Sequence, residues 1–292
     1  MSSVTKSLAL HRARRAERSR LALRTGALQG VLILWTLASV LPVAWMFSAS
    51  LQTNQEIYQG VHFIPKSFTL ENFVQAWVRA SFSTYSLNSL FYTVVVVAGV
   101  VILASMSAFA FARLRFPGKN LLYFAFLIFI FIPIPGSFIP LYVLLVKLGI
   151  VNTRIGYILP LIQGSLTVAI FILRSFFEDI PREIEEAARM DGASWTQTFW
   201  RISVPIAKPA IATIIIFTAL GVWNEYLLAS IVFSDTQLMP LQAGIMRFQG
   251  SFFSQYGLMM AALSITTIPI VVLYGFMQRY IIKGVMAGAV KG

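Results

Sequence analysis

From Ser86 to Ala112 the chain runs without a charged side chain, through Thr93-Val-Val-Val-Val-Ala-Gly-Val-Val-Ile-Leu103. A bilayer core demands about 20 apolar residues per crossing helix, because every backbone N–H and C=O must be satisfied within the segment where no water is available. Stretches near 27–50, 86–112, 120–146, 155–174, 209–233 and 257–281 all meet that length. With 58% hydrophobic and only 12% charged residues, 292 residues carry more apolar surface than one soluble core can bury. The expected fold is an all-α membrane protein with six transmembrane helices, and even parity puts both ends on one side of the bilayer.

The basic residues orient that bundle. They gather before the first stretch (Lys6, Arg12, Arg14, Arg15, Arg18, Arg20, Arg24), between the second and third (Arg113, Arg115, Lys119), between the fourth and fifth (Arg174, Arg182, Arg189, Arg201, Lys208) and after the sixth (Arg279, Lys283, Lys291). Of the 23, only Lys66, Arg79, Lys147, Arg154 and Arg247 fall on the opposite side. Cytoplasmic loops carry the Lys/Arg excess, so the topology reads N-in, C-in. Residues 1–26 form a basic cytoplasmic segment, 27–281 the transmembrane domain and 282–292 a Gly-rich cytoplasmic tail. The uncharged run Thr25 to Gln55 is too long for the h-region of a cleaved signal and lacks a small-residue cleavage site. A net charge of +12 would point to a polyanionic partner in a soluble protein; here it marks one face of a lipid bilayer, and no nucleic acid is expected. With no cysteine and only His11 and His62 as imidazoles, no metal site is expected.

Between the fourth and fifth stretches lies a polar interruption. Pro181 suits the first position of a helix and Gly192 the left-handed residue that ends one, which predicts a helix over about 181–191. Glu185 and Arg189 stand at i,i+4 in the favourable order. Ser194-Trp195-Thr196-Gln197 reads as a capping box opening a second short helix, with Trp195, Phe199 and Ile202 on one stripe, until Pro205 ends it. Ala187 and Ala188 leave a shallow helix surface that a partner can approach closely, flanked by charges able to fix orientation.

Within the spans, Pro133, Pro135 and Pro140 predict a helix break in the third, which lipid tolerates only where protein or a water-filled cavity satisfies the freed carbonyls. Glu225, in Trp223-Asn224-Glu225-Tyr226 of the fifth, is the only acid well inside a span, so it is expected to face the interior, paired or protonated. Thr218, Gly221, Asn224 and Glu225 follow helical spacing as one weakly polar stripe, with Gln163 at similar depth on the fourth span and Asn88 and Tyr92 marking the second. Such residues supply the donors, acceptors and aromatic wall that polyol recognition needs, and equally the glue between helices. Outside, Leu70 to Val78 has helical spacing, which suits either interfacial anchoring or contact with an external binding protein. No phosphate-binding Gly-x4-Gly-Lys-Ser/Thr motif occurs, so energy comes from a partner or an ion gradient.

The polar interruption, Glu186-Ala187-Ala188, then Asp191-Gly192 and Ile202-Ser-Val-Pro205, resembles the "EAA loop" of the membrane subunits of ATP-binding-cassette (ABC) importers, with Val204 where Leu is usual. Phe109-Ala-Phe-Ala-Arg113-Leu-Arg-Phe-Pro117-Gly118-Lys119, Pro140-Leu-Tyr142, Leu148-Gly149 with Asn152-Thr153, Trp223-Asn224-Glu225 and the ending Gly284 to Gly292 are similar to the carbohydrate-type, maltose-transporter-like second permease subunit. That resemblance implies a type I importer fold in a prokaryotic cytoplasmic membrane, with the loop as a coupling helix seated in a separate ATPase. It further implies a second permease subunit, two ATPase subunits that use the ATP and Mg2+, an extracytoplasmic solute-binding protein and alternating access. The chain itself is expected to bind no cofactor and to catalyse no reaction. The reading preferred is the permease of an ATP-driven importer for a di- or oligosaccharide. Its alternatives are a secondary transporter or channel with Glu225 as the ion site, and the same ABC fold serving a glycerol-phosphate or amino-sugar solute.

Overall fold

A computed structural model describes residues 2–79, 81–131, 138–251 and 255–289, and these are overwhelmingly helical. In chain order the helices are α1 Ser2–Ser50, α2 Asn54–Tyr58, α3 Glu71–Arg79, α4 Phe82–Arg113, α5 Lys119–Phe131, α6 Phe138–Lys147, α7 Arg154–Asp179, α8 Arg182–Met190, α9 Trp195–Thr198, α10 Val204–Ile206, α11 Lys208–Trp223, α12 Leu227–Val232, α13 Leu241–Ser251 and α14 Tyr256–Ala289. They form two compact units, one of residues 1–72 with 255–261, the other of 73–254 with 262–292.

In the smaller unit, α1 runs unbroken from the basic segment through the first apolar stretch, so no break in the helix marks a boundary at residue 26. Leu32, Leu34 and Trp35 are largely exposed, which suits a helix whose covering is lipid or another chain. Its C-terminal end is tied to the following loop by side chains: Gln52 Nε2 donates to His62 O at 2.8 Å, and Asn72 Nδ2 to Ser50 O at 2.9 Å and Gln52 O at 2.8 Å. The Glu56 carboxylate accepts from Lys66 N–H, Ser67 N–H and the Ser67 hydroxyl.

In the larger unit α4 is the central helix. Its buried residues Tyr85, Ser89, Tyr92, Val96, Val100, Ala104 and Ala108 recur every three or four positions, which makes one continuous face. That face packs most extensively on α7 and next on α11, and the small side chains of Ala104 and Ala108 permit close helix approach. Gly244 of α13 meets the Tyr85 ring so closely that a Cβ there would overlap it.

The described parts of the third expected span are α5 and α6; Pro133 and Pro135 lie outside the described residues, while Pro140 lies in α6. The fifth breaks at Asn224–Tyr226 between α11 and α12. Among the described residues, three helical segments (Thr25–Ser50, Phe82–Arg113 and Arg154–Asp179) are long and apolar enough to cross a membrane, or four if the bent pair Trp195–Ile206 and Lys208–Trp223 counts as one span. The helix expected over Leu70–Val78 is α3, with Val74, Trp77 and Val78 exposed.

Candidate functional site

The elbow between α7 and α11 is built from local rules. Pro181 stands at the N-cap of α8 rather than inside its first turn. At the other end Gly192 takes φ +87°, its N–H bonds to Arg189 O at 3.0 Å and the Ala193 N–H to Ala188 O at 3.0 Å, which completes a Schellman motif. Ser194 then closes the capping box: its Oγ accepts from Gln197 N–H at 3.2 Å and its N–H donates to Gln197 Oε1 at 2.8 Å. Pro205 does not end this second helix. A π-helical turn over Phe199–Ser203 widens the ladder so that Pro205 enters the first turn of α10, and the chain bends by 75° only at Ala207.

The elbow is fastened to the bundle by contacts far apart in sequence. Glu185 does not pair with Arg189. Its Oε2 lies 2.7 Å from Arg113 Nε at the end of α4, with side chains 5% and 4% exposed. The Nε–H bond is not aligned on that oxygen, so the contact is Coulombic rather than a formed hydrogen bond. Arg113 Nη2 donates to Ile180 O at 2.6 Å, and the Ser203 hydroxyl donates to Glu185 Oε1 at 3.1 Å. Desolvation decides the pairing: an exposed i,i+4 contact contributes a few tenths of a kcal/mol, whereas removing one partner of a buried pair costs about 3–5 kcal/mol. Arg189 is left to stack on Trp195, 4.2 Å from the ring centroid. Around the pair, Phe109 of α4 touches Phe177, Trp195 and Phe199, with centroids 5.8, 6.2 and 5.1 Å away.

What faces outward is the remainder. Glu186, Ala187, Asp191, Gly192 and Pro205 are exposed, and Ala188 and Ile202 half-buried. Met190 and Trp200 add exposed apolar surface, at 88% and 51%. Arg115, Arg182, Glu186 and Arg189 line a cavity of about 480 Å³ between α8 and the α4–α5 turn.

The residues proposed for a solute path divide. Asn88 and Tyr92 of α4 are buried and hold a strap of backbone: Asn88 Nδ2 donates to Gln237 O at 2.7 Å and Met239 O at 3.1 Å, and the Tyr92 hydroxyl to Leu238 O at 2.7 Å. Glu225 is not on a helical stripe with Thr218 and Gly221. It lies in the break after α11, where Oε1 accepts from Leu228 N–H at 2.7 Å, and Oε2 from Ala229 N–H and the Tyr157 hydroxyl, each at 3.2 Å. A carboxylate on the first N–H groups of α12 satisfies donors that would otherwise lack partners. Asn224 caps α11, Tyr226 is exposed, and Gln163 is exposed on α7 without a hydrogen bond to these residues. Trp223 and Thr93 line an apolar cavity of about 550 Å³ between α4, α11 and α14, and both Trp223 Nε1 and Thr93 Oγ1 are buried without a protein partner.

Sequence reasoning gave no contact role to Arg113, Ser203, Tyr157 or Asn152. Asn152 takes φ +58° and its Oδ1 accepts from Ser234 N–H and Asp235 N–H at 3.0 and 2.9 Å, a left-handed role for which Asn before an N-cap Thr was the available signal.

Comparison with known proteins agrees with this architecture. The profile of a family described as "binding-protein-dependent transport system inner membrane component" matches residues 100–286. A diacetylchitobiose uptake system permease protein of Streptomyces coelicolor is 33% identical over 260 residues, covering 88% of this chain and 86% of the relative. A trehalose transport system permease protein of Mycobacterium tuberculosis is 36% identical over 256 residues, covering 87% and 93%. Among solved structures, a chain of a bacterial ABC transporter involved in import of the acidic polysaccharide alginate superposes with a TM-score of 0.76 at 26% identity, covering 87% of this chain and 95% of that one.

Proposed function

The chain belongs to the family of binding-protein-dependent transport system inner membrane components, the permease subunits of ABC importers, and from that premise we propose that it carries a di- or oligosaccharide across the cytoplasmic membrane, driven by a separate ATPase docked on its elbow. The observation that carries the coupling is the division of the elbow into two sides. Glu185, Phe199 and Ser203 are buried, while Glu186 and Ala187 are presented outward on a helix only nine residues long and Gly192 is exposed just past its end. A partner that pushes on the outward side moves α8, α9 and the helices to which they are fastened as one body. The 75° bend at Ala207 converts such a push into tilt of α11, whose end carries Trp223.

The relatives named for diacetylchitobiose and trehalose uptake support a sugar as the solute. Trp223 lines the apolar cavity between α4, α11 and α14, where its indole face offers a wall for the C–H surface of a passing sugar. Six crossings, with α11–α12 as a broken span and both termini cytoplasmic, complete this reading. So do a second permease subunit, two ATPase subunits that hold ATP and Mg2+, and an external solute-binding protein. Glu225 is given a capping role, because its carboxylate already accepts three hydrogen bonds, and an ion-carrying role is set aside on that ground.

The test uses membrane vesicles containing the whole transporter. The chain has no cysteine, so Ala187→Cys provides a single thiol for cross-linking. Capture of the ATPase, with uptake that stops when ATP is withheld, is the expected result. Absence of capture in vesicles that transport, or accumulation without nucleotide, overturns the coupling.

A further inference from the structure

Neighbouring carboxylates on α8 have opposite surroundings. Glu186 is exposed, whereas Glu185 is buried, with its side chain 5% exposed at the wall of the cavity beside α8. The two Glu185 oxygens join separate elements: Oε2 meets Arg113 at the end of α4, Oε1 meets Ser203 in the second helix of the elbow, and Arg113 reaches on to Ile180 O at the C-cap of α7. The π turn over Phe199–Ser203 sets the rotation that brings Ser203 onto Glu185.

Aromatic contacts also join elbow and bundle, with the Phe109 ring centroid 6.2 Å from Trp195 and 5.1 Å from Phe199. Such faces keep most of their attraction when they slip, because dispersion is shallow and undirected. A desolvated charge pair at 2.7 Å does not slip, since separation leaves two buried charges without compensation. A well-packed apolar pair would hold the fold equally well, so what the charges add is a fixed register between elbow and bundle.

We propose that Arg113 and Glu185 are positioning residues whose ion pair transmits displacement of the elbow into α4, an inference that rests on the coupling reading above. Through α4 the displacement reaches α7 and α11, the helices packed most extensively on it.

The test compares the whole transporter carrying Ala187→Cys alone with the same transporter also carrying Glu185→Gln, or Arg113→Met with Glu185→Met. The double change replaces the pair by apolar side chains and so preserves insertion if the charges are not needed for folding. Three quantities are read: membrane abundance, cross-linking of Cys at 187 to the ATPase, and solute taken up per ATP hydrolysed. The expected result is normal abundance and cross-linking in at least the double variant, with uptake per ATP reduced about tenfold. An unchanged ratio overturns the inference and leaves docking at the elbow intact. Loss of cross-linking only in the variants also overturns it, since the pair would then shape the docking surface; failure of both variants to insert does so too, by reducing the pair to a folding element. No cross-link in the Ala187→Cys parent means that the coupling reading itself has failed, and this inference with it.

Discussion

The Tyr157 hydroxyl donates to Glu225 Oε2 at 3.2 Å, joining α7 to the break between α11 and α12. Tyr157 is fully buried, its ring 4.8 Å from Tyr92 and 5.1 Å from Phe233, so the hydroxyl has no water to turn to and the carboxylate is held from two sides. Tyr157→Phe keeps the ring packing and deletes this bond alone. The expected loss is about 1.5–3 kcal/mol, the range for hydrogen bonds to charged groups. Thermal unfolding in detergent checks it, and an unchanged midpoint would show that the two backbone donors suffice.

Gly192 adopts φ +87°, and a Cβ placed there would meet no atom within 4 Å. Space is therefore not the constraint; the left-handed backbone is. Gly192→Ala is expected to cost about 1–2 kcal/mol at the end of α8, and Gly192→Asp to lose transport while the chain still inserts. Uptake measured at matched membrane abundance decides it, with wild-type rates for the Asp variant counting against coupling through this turn.

Asn88 holds two carbonyls of the segment before α13, at 2.7 and 3.1 Å, and is 5% exposed. Asn88→Ala leaves both acceptors without this donor, an expected cost of about 1–3 kcal/mol for the carbonyl of buried Met239, while that of exposed Gln237 turns to water. Faster amide hydrogen exchange over residues 236–244, with α7 unaffected, is the signature. Uniform exchange throughout would mean that the strap is held elsewhere.

Backbone donation from Lys66, with help from Ser67 and His62 and against the opposing effect of burial, holds Glu56 below the ordinary carboxylate value of 4.5. A carboxylate whose pKa is lower folded than unfolded stabilises above the unfolded value, and that stability disappears as pH falls through the folded one. The loop from α2 to Thr69 is therefore expected to loosen below about pH 4.5. Limited proteolysis across a pH series follows it, and Glu56→Gln should give one loosened pattern at every pH.

The elbow shows what a sequence window can and cannot contain. Ser194 and Gln197 stand three residues apart, and Gly192 closes a turn whose partners are Ala188 and Arg189; such contacts are decided by backbone geometry over a few residues, and the spacing alone declared them. Pro205 misled because a π turn, set by the packing of Phe199 and Ser203, shifts the ladder past the missing donor. Glu225 misled because apolar composition continues through 209–233 while the backbone does not: the carboxylate takes the first donors of a new helix.

From its residues alone this chain was bound to be helical and lipid-embedded, because backbone groups in an apolar solvent must find partners within a few residues, and to turn at Gly192 and restart at Ser194, because a left-handed glycine and a capping box are local backbone geometry. Only the tertiary structure decided that Glu185 would pass over Arg189, four positions away, for Arg113 at the end of α4. That choice depends on which cation shares its burial, and burial is a property of the packed chain that no window of sequence contains.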